Sequence, residues 1–246
     1  MYTPRKNGFV SNTDNAPAGP KNRLVRALTW THVAVPVTIF FVYALGLLYF
    51  TYTQIALGFL PTAALFFGGM FTFTLMEYLI HRYIFHMFAV TAQTSGWTPH
   101  KQHGIHHDYP KDKSRLAMPP IASISIATII LLLFQLFLNQ YAYAFTAGVV
   151  SGYASYLLVH YIVHIYRQPR GFWKYLWVNH AIHHYVDETV MYGVTTAIWD
   201  HVFGTAKAPE SVKVDRKQTS EKLHSRKLQE ANRPAPIRDL RAEPSR

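Results

Sequence analysis

The chain has 246 residues, of which 50% are hydrophobic and only 15% are charged, with a formal net charge of +11. Soluble domains average roughly 25% charged residues, so this composition argues against a disordered, collagen-like or ordinary soluble protein. The absence of cysteine excludes disulfides, thiolate metal sites and cysteine nucleophiles. Histidine is frequent by contrast, with 14 residues.

Four apolar runs follow a polar N-terminal segment over 1–23, and each is close to the about 20 residues that a helix needs to cross a membrane. The runs cover residues 27–50, 55–80, 119–138 and 142–165. Only a helix satisfies its own backbone polar groups inside lipid. The sequence therefore predicts an all-α integral membrane protein with four transmembrane helices. Buried helices of a soluble protein are the alternative.

The basic residues predict the orientation of these helices. Five Lys and Arg residues precede the first run, five lie between the second and third, and 14 follow the fourth. The links over 51–54 and 139–141 are short and uncharged, which predicts two helical hairpins. The positive-inside rule predicts that both termini and the long middle segment are cytoplasmic. We expect a membrane domain over 24–204 and a basic flexible tail over 205–246.

Ten of the histidines form four groups with helical spacing. They are His81 and His86, then His103, His106 and His107, then His160 and His164, and finally His180, His183 and His184. Residues three or four apart lie on one helix face, so most of these groups can present their imidazoles together. His81 and His86 are five apart, so a helix end or kink must bring them together. All four groups lie at or beside the cytoplasmic ends of the second and fourth runs, which predicts one site.

Ten imidazoles are too many for one metal, but two six-coordinate metals with about five each would keep an open position. Nitrogen ligands suit iron, copper or zinc and disfavour magnesium and calcium, and the HExxH motif of zinc hydrolases is absent. Ligand histidines need acceptors that fix their tautomer. The candidate acceptors are Glu77, Asn179, Asp187 and Asp200. The other four histidines, which are His32, His100, His201 and His224, are interpreted as structural, with His100 and His201 as further candidates for the site.

These motifs resemble the membrane-bound fatty acid hydroxylase/sterol desaturase superfamily. They read HRYIFH over 81–86, HGIHH over 103–107, HYIVH over 160–164 and HAIHH over 180–184. Two further strings, HHDYPKDKSRLAMPP over 106–120 and YGVTTAIWDHVFGT over 192–205, are most similar to sphingolipid fatty acid 2-hydroxylases. Carotenoid hydroxylases lack these strings.

The resemblance implies a diiron, O₂-dependent monooxygenase with four membrane helices and a cytoplasmic helical cap, in which all ten clustered histidines are ligands. Zinc can replace iron in purified members. Many eukaryotic relatives carry a cytochrome b5 domain, which residues 1–26 are too short to hold. We therefore expect a separate electron donor, either cytochrome b5-like or a ferredoxin with its reductase, and a location in a bacterial inner membrane. The resemblance implies a lipid substrate, and no nucleic-acid motif is present.

Lys111, Lys113 and Arg115 are candidates to bind the lipid headgroup or carbonyl, with contact to anionic lipid as the alternative. Tyr161 and Tyr185 are candidates to line the lipid pocket. A desaturase, or a carotenoid or sterol oxidase of the same superfamily, uses a similar ligand set and remains a rival. A metal transporter should have polar residues near the membrane midplane, whereas these runs are apolar there. A purely structural metal site is a further alternative.

Overall fold

The computed structural model describes residues 9–13, 32–87, 99–113, 116 and 120–207. Most of the predicted N-terminal segment over 1–23, and the predicted tail after residue 207, lie outside the described residues. Within the described part, the regular secondary structure is entirely helical. The predicted all-α class is thus confirmed there.

Seven α-helices make up most of the described part. They are α1 (Ala34–Phe50), α2 (Phe59–Leu79), α3 (Pro99–Asp108), α4 (Pro120–Leu138), α5 (Ala142–Ile165), α6 (Lys174–Tyr185) and α7 (Ile198–Val202). Short π-helices extend α1 and α2 over Thr51–Ile55 and Ile80–Met87, and a 3₁₀-helix over Asn139–Tyr141 joins α4 to α5. The four longest helices, α1, α2, α4 and α5, fall within or overlap the four apolar runs.

Three helical segments are long and apolar enough to cross a membrane, namely Ala34–Ile55, Phe59–Met87 and Ser123–Ile165. The last has 43 residues and would be about 64 Å long if straight, roughly twice the thickness of a hydrocarbon layer. It is instead divided at Asn139, whose φ is 48°, and its two helices α4 and α5 pack against each other. The four-span topology with a cytoplasmic cap stays a prediction.

Helix α5 is central, because α1, α2 and α4 all pack against it. Its buried face consists largely of small residues, including Ala144, Ala147, Gly148, Ser151, Gly152 and Ala154. Small residues let helix backbones approach closely. A Cβ on Gly148 would lie 1.9 Å from the Phe66 carbonyl oxygen, and one on Gly69 would lie 2.1 Å from that of Phe145. The seam between α2 and α5 therefore requires glycine at both positions.

Large apolar side chains cover the outer faces of the long helices. Examples are Leu45, Leu60, Phe67, Leu132, Leu136 and Phe137, all more than half exposed. Soluble monomers rarely expose extended apolar patches, and this pattern is typical of helices that face lipid.

The end of α2 explains the unusual spacing of its histidines. Helix α2 continues directly into the π-helix Ile80–Met87. In a π-helix the hydrogen bonds run from residue i to residue i+5, so His81 and His86 lie on the same side of it. This is the local irregularity that their spacing requires.

Candidate metal centre

The ten clustered histidines form two groups of five. Group one consists of His81, His86, His103, His107 and His183, and group two consists of His106, His160, His164, His180 and His184. Within each group the five potential ligand nitrogens, one per ring, all lie within 4.8 Å of one another. The structure thus brings together all ten histidines that the sequence singles out, and it divides them five and five.

The HGIHH and HAIHH motifs each contribute to both groups, with opposite allocation. In α3 the histidines four residues apart, His103 and His107, belong to group one, and His106 belongs to group two. In α6 the pair four residues apart belongs to group two, and His183 belongs to group one. Positions i+3 and i+4 differ by about 100° around a helix. One motif can therefore serve two metals, whereas its spacing alone predicts that all its imidazoles face one way.

The two groups adjoin each other in a buried region. Nine of the ten side chains are at most 9% exposed, and His86 is partly buried. The groups meet at His107 and His184, whose rings stack with centroids 4.1 Å apart. Most water is therefore excluded from the imidazoles.

The spacing of the Nε2 atoms fits a shared ion in each group. In group one, the His103 Nε2 lies 3.1, 3.0 and 3.0 Å from those of His81, His86 and His107. In group two, the separations are 3.1 Å for His106–His160, 3.2 Å for His160–His164 and 2.7 Å for His164–His180. Two nitrogen ligands at about 2.1 Å from a metal and at right angles to each other are about 3.0 Å apart. The nitrogen ligand set suits iron, copper or zinc.

Two imidazoles in group one have their tautomer fixed by backbone carbonyls. The His81 Nδ1 lies 2.6 Å from the Tyr192 carbonyl oxygen, and the His183 Nδ1 lies 2.8 Å from that of Val190. Because a carbonyl oxygen only accepts hydrogen bonds, Nδ1 carries the proton in both rings. In the neutral rings, Nε2 then offers its lone pair to the centre of the group.

Burial keeps the imidazoles beyond the membrane segments uncharged. It lowers the pKa of His106 to about 3. Burial, followed by the neighbouring imidazoles, lowers the pKa of the remaining five well below the usual range; these are His103, His107, His180, His183 and His184. Neutral imidazole is the form that binds metals, so these side chains are ready to act as ligands at neutral pH.

The structure places Glu77 differently from the direct histidine contact that the sequence suggests. Its Oε1 accepts the backbone N–H groups of Val194 at 2.6 Å and Thr195 at 3.0 Å. Its Oε2 accepts the Thr195 hydroxyl. Among the described residues, its hydrogen bonds therefore go to a loop and not to an imidazole.

Asp200 binds the same loop through the two residues that precede those bound by Glu77. Its Oδ1 accepts the N–H of Tyr192 and its Oδ2 accepts that of Gly193, both at 2.8 Å. The Thr205 hydroxyl also donates to Oδ1 at 2.8 Å. Like Glu77, Asp200 is linked by its described hydrogen bonds to the backbone of the loop and not directly to a histidine.

The other two predicted acceptors make no hydrogen bond to a histidine in the described part of the chain. Asp187 accepts two hydrogen bonds from Thr189 within its own turn, and Asn179 is partly buried without a hydrogen bond to an imidazole. Glu188 instead approaches the site, with Oε2 4.0 Å from the His107 Nδ1. Histidine spacing did not single out Glu188, although its position next to Asp187 was a signal.

Two of the three predicted headgroup ligands lie in the exposed turn after α3, at Lys111 and Lys113. The third, Arg115, lies outside the described residues. Their contact with lipid stays a prediction.

The two predicted pocket tyrosines contact other parts of the protein. The Tyr185 hydroxyl donates to the Asn12 side-chain oxygen at 3.0 Å. The Tyr161 ring lies against the His32 ring, with centroids 5.7 Å apart. Their role in lipid binding also stays a prediction.

Comparison with known proteins agrees with this arrangement. The family described as "Fatty acid hydroxylase" matches residues 66–205, which is more than half of the chain and includes all ten clustered histidines. The chain belongs to this family. The resemblance seen in the motifs is thereby confirmed.

Curated relatives carry names from sphingolipid and fatty acid hydroxylation. The chain is 39% identical over 159 residues to the ceramide very long chain fatty acid hydroxylase scs7 of Schizosaccharomyces pombe, covering 63% of this chain and 46% of that protein. It is 35% identical to a dihydroceramide fatty acyl 2-hydroxylase of Arabidopsis thaliana, with 56% and 58% covered. Fatty acid 2-hydroxylase of Homo sapiens is also 35% identical, with 57% and 39% covered. The chain thus spans about half the length of these relatives.

A solved structure shares the fold. It is described as full-length scs7p with only the hydroxylase domain visible, and it matches with a TM-score of 0.68 and 31% identity. The match covers 78% of this chain and 72% of that one. The helical framework that holds the histidines is therefore similar in the two proteins.

Proposed function

We propose that the chain is an integral membrane, O₂-dependent diiron hydroxylase that acts on the acyl chain of a fatty acid or sphingolipid-like lipid. The observation that carries this proposal is the division of ten histidines, nine of them buried, into two adjoining five-nitrogen groups. Each group can hold one metal and leave a position open. The names of the relatives, which include fatty acid 2-hydroxylase, favour carbon 2 of the acyl chain as the position hydroxylated.

The two groups would hold the metals through Nε2 atoms, and iron bound there would supply the activation of O₂. Overall, one oxygen atom enters a C–H bond of the lipid and the other leaves as water. The reaction consumes two electrons and two protons, so it requires an electron donor. We propose a separate electron-transfer protein in this role, either cytochrome b5-like or a ferredoxin with its reductase.

The chain's own residues orient the ligands and exclude water. Fixed Nδ1–H donors at His81 and His183 hold two Nε2 lone pairs in place, so little reorganisation is needed when a metal binds. Burial of the six imidazoles on α3 and α6 lowers their pKa and keeps them neutral. Lys111, Lys113 and Arg115 are proposed to bind the lipid headgroup or carbonyl, and Tyr161 and Tyr185 to border the acyl chain.

The location of the site suits a lipid substrate. Group one takes two histidines from the end of the Phe59–Met87 segment, and group two takes two from the end of Ser123–Ile165. An acyl chain could therefore approach from the bilayer. The positive-inside rule supports a cytoplasmic position for this end of the helices.

Lipid analysis tests the proposal directly. Cells that express the chain should accumulate lipids that gain one oxygen atom, with fragmentation placing the hydroxyl at carbon 2. A His106→Ala variant expressed at the same level should not produce them. Lipids that lose two hydrogens would indicate desaturation instead. Metal flux into proteoliposomes without lipid oxidation would indicate a transporter, and hydroxylation that survives His106→Ala would indicate a structural metal.

A further inference from the structure

The loop over 191–195 has every backbone N–H group bonded. The N–H of Met191 donates to the Thr205 carbonyl at 3.1 Å, the next two donate to Asp200, and the last two donate to Glu77. Met191 has a φ of 56°, in a region that bulky residues avoid. Such conformations persist only where the surroundings hold them, so the shape of the loop is imposed by its partners.

The backbone of this loop and of the residue before it also contacts group one. The carbonyls of Val190 and Tyr192 accept hydrogen bonds from His183 and His81. The Tyr192 ring also lies among the imidazoles, with centroids 5.7 Å from His81, 5.5 Å from His86 and 5.4 Å from His183. All of these imidazoles belong to group one.

The two carboxylates that hold the loop are buried, with Glu77 6% and Asp200 0% exposed. Buried carboxylates are costly unless hydrogen-bonded, and each of these accepts three hydrogen bonds. Asp200 is also tied to α2. The Thr205 hydroxyl donates to Asp200, so it accepts from the Tyr78 hydroxyl at 3.0 Å, which in turn accepts from Arg82 at 2.8 Å.

We propose that Glu77 and Asp200 are positioning residues for the metal of group one, acting through the loop backbone. The inference rests on the proposed function, because it assumes that the groups bind metal. Neither carboxylate is hydrogen-bonded to a histidine in the described part of the chain. Group two is built on helices α3, α5 and α6 and takes no described hydrogen bond from the loop. Removal of a carboxylate should therefore weaken metal binding at group one and spare group two.

Zinc titration of the full-length, metal-free protein in detergent tests this in two backgrounds. His106→Ala removes a ligand from group two and leaves group one as the intact site, whereas His107→Ala does the reverse. Glu77→Gln or Asp200→Asn should weaken zinc binding about 10–100-fold in the His106→Ala background, the usual effect of losing an outer contact of a ligand. In the His107→Ala background, either substitution should leave the zinc affinity unchanged.

A milder test makes the same substitution at two threonines, one inside the loop and one just before it. Thr195→Val removes the hydroxyl that donates to Glu77, and Thr189→Val removes the hydroxyl that donates to Asp187. Thr195→Val should weaken zinc binding at group one, and Thr189→Val should leave it unchanged. Both changes keep the backbone and the side-chain shape nearly intact.

The inference would be overturned if the substitutions weakened zinc binding equally at both groups, or if they weakened it at neither group. Equal weakening, including loss of both metals through misfolding, would mean that the carboxylates support the fold in general. If the unmodified chain binds no zinc or iron at all, the proposed function itself fails. If it binds two ions and the variants do not discriminate between groups, only the positioning role fails.

Discussion

The two histidine groups reach the same five-nitrogen composition by different means. Group two takes four of its ligands as pairs four residues apart on α5 and α6, where regular helix geometry aligns the rings. Group one takes a pair five apart on a π-helix and relies on loop carbonyls to orient His81 and His183. Helix packing therefore stabilises group two, whereas buried hydrogen bonds stabilise much of group one. The two groups should respond differently to the same kind of perturbation.

The largest effects are expected from adjacent ligands that belong to different groups. His106→Ala and His107→Ala should each lower bound metal from two ions to about one. Each should reduce the proposed hydroxylation by more than the roughly 10–100-fold seen for outer contacts of ligands, because the reaction we propose uses both metals. Elemental analysis and lipid mass spectrometry measure these results. If either variant lost both ions, the division into independent groups would be wrong.

A smaller and more selective effect is expected at Gly193 in the loop. A Cβ there would lie 2.0 Å from the Thr196 carbonyl oxygen and 2.7 Å from the Asp200 Oδ2. Gly193→Ala should therefore displace the loop and weaken zinc at group one about 10–100-fold, with group two unchanged. In the control Gly58→Ala, the nearest atom to the new Cβ is 3.9 Å away. Unchanged zinc affinity in Gly193→Ala would show that the loop does not orient group one.

The seam between α2 and α5 tests the part of the fold that both groups share. Gly148→Ala should force the two backbones apart and lower the free energy of unfolding by about 1–3 kcal/mol, the usual cost of overpacking. Gly46→Ala on α1 is the matched control, because its Cβ would have no atom within 4 Å. Thermal unfolding in detergent compares the two. Equal stability of both variants would show that the close approach of α2 and α5 is not needed.

The sequence predicted the ligand candidates better than their surroundings. Histidine spacing and apolar runs are local properties, so the ten clustered residues and the long helices could be read directly. The allocation of His106 and His183 to opposite groups depends on how α3 and α6 pack against each other, which spacing alone does not give. The contacts of Glu77 depend on a loop more than 100 residues away. Helical spacing from His183 and His184 pointed to Asp187, whereas the fold brings Glu188 near His107.

The smallest effect is expected at Tyr185, which the sequence analysis placed beside the lipid. Its hydroxyl donates to Asn12, and its ring contacts Phe9 edge-on with centroids 5.1 Å apart. The backbone N–H groups of Val10 and of the next residue donate to the carbonyl of Asp108. This N-terminal stretch therefore joins the ends of α3 and α6, the two helices that supply histidines to both groups.

Tyr185→Phe keeps the ring contact and removes one hydrogen bond, so it should lower the free energy of unfolding by about 1 kcal/mol. Zinc affinity should stay the same at both groups, because neither loses a ligand or an orienting carbonyl. Denaturation and zinc titration of the variant measure the two quantities. A rise in the KM for lipid with unchanged stability would instead favour the lipid-binding role that the sequence suggested. A selective loss at group two would mean that the N-terminal stretch orients its ligands as the loop orients those of group one.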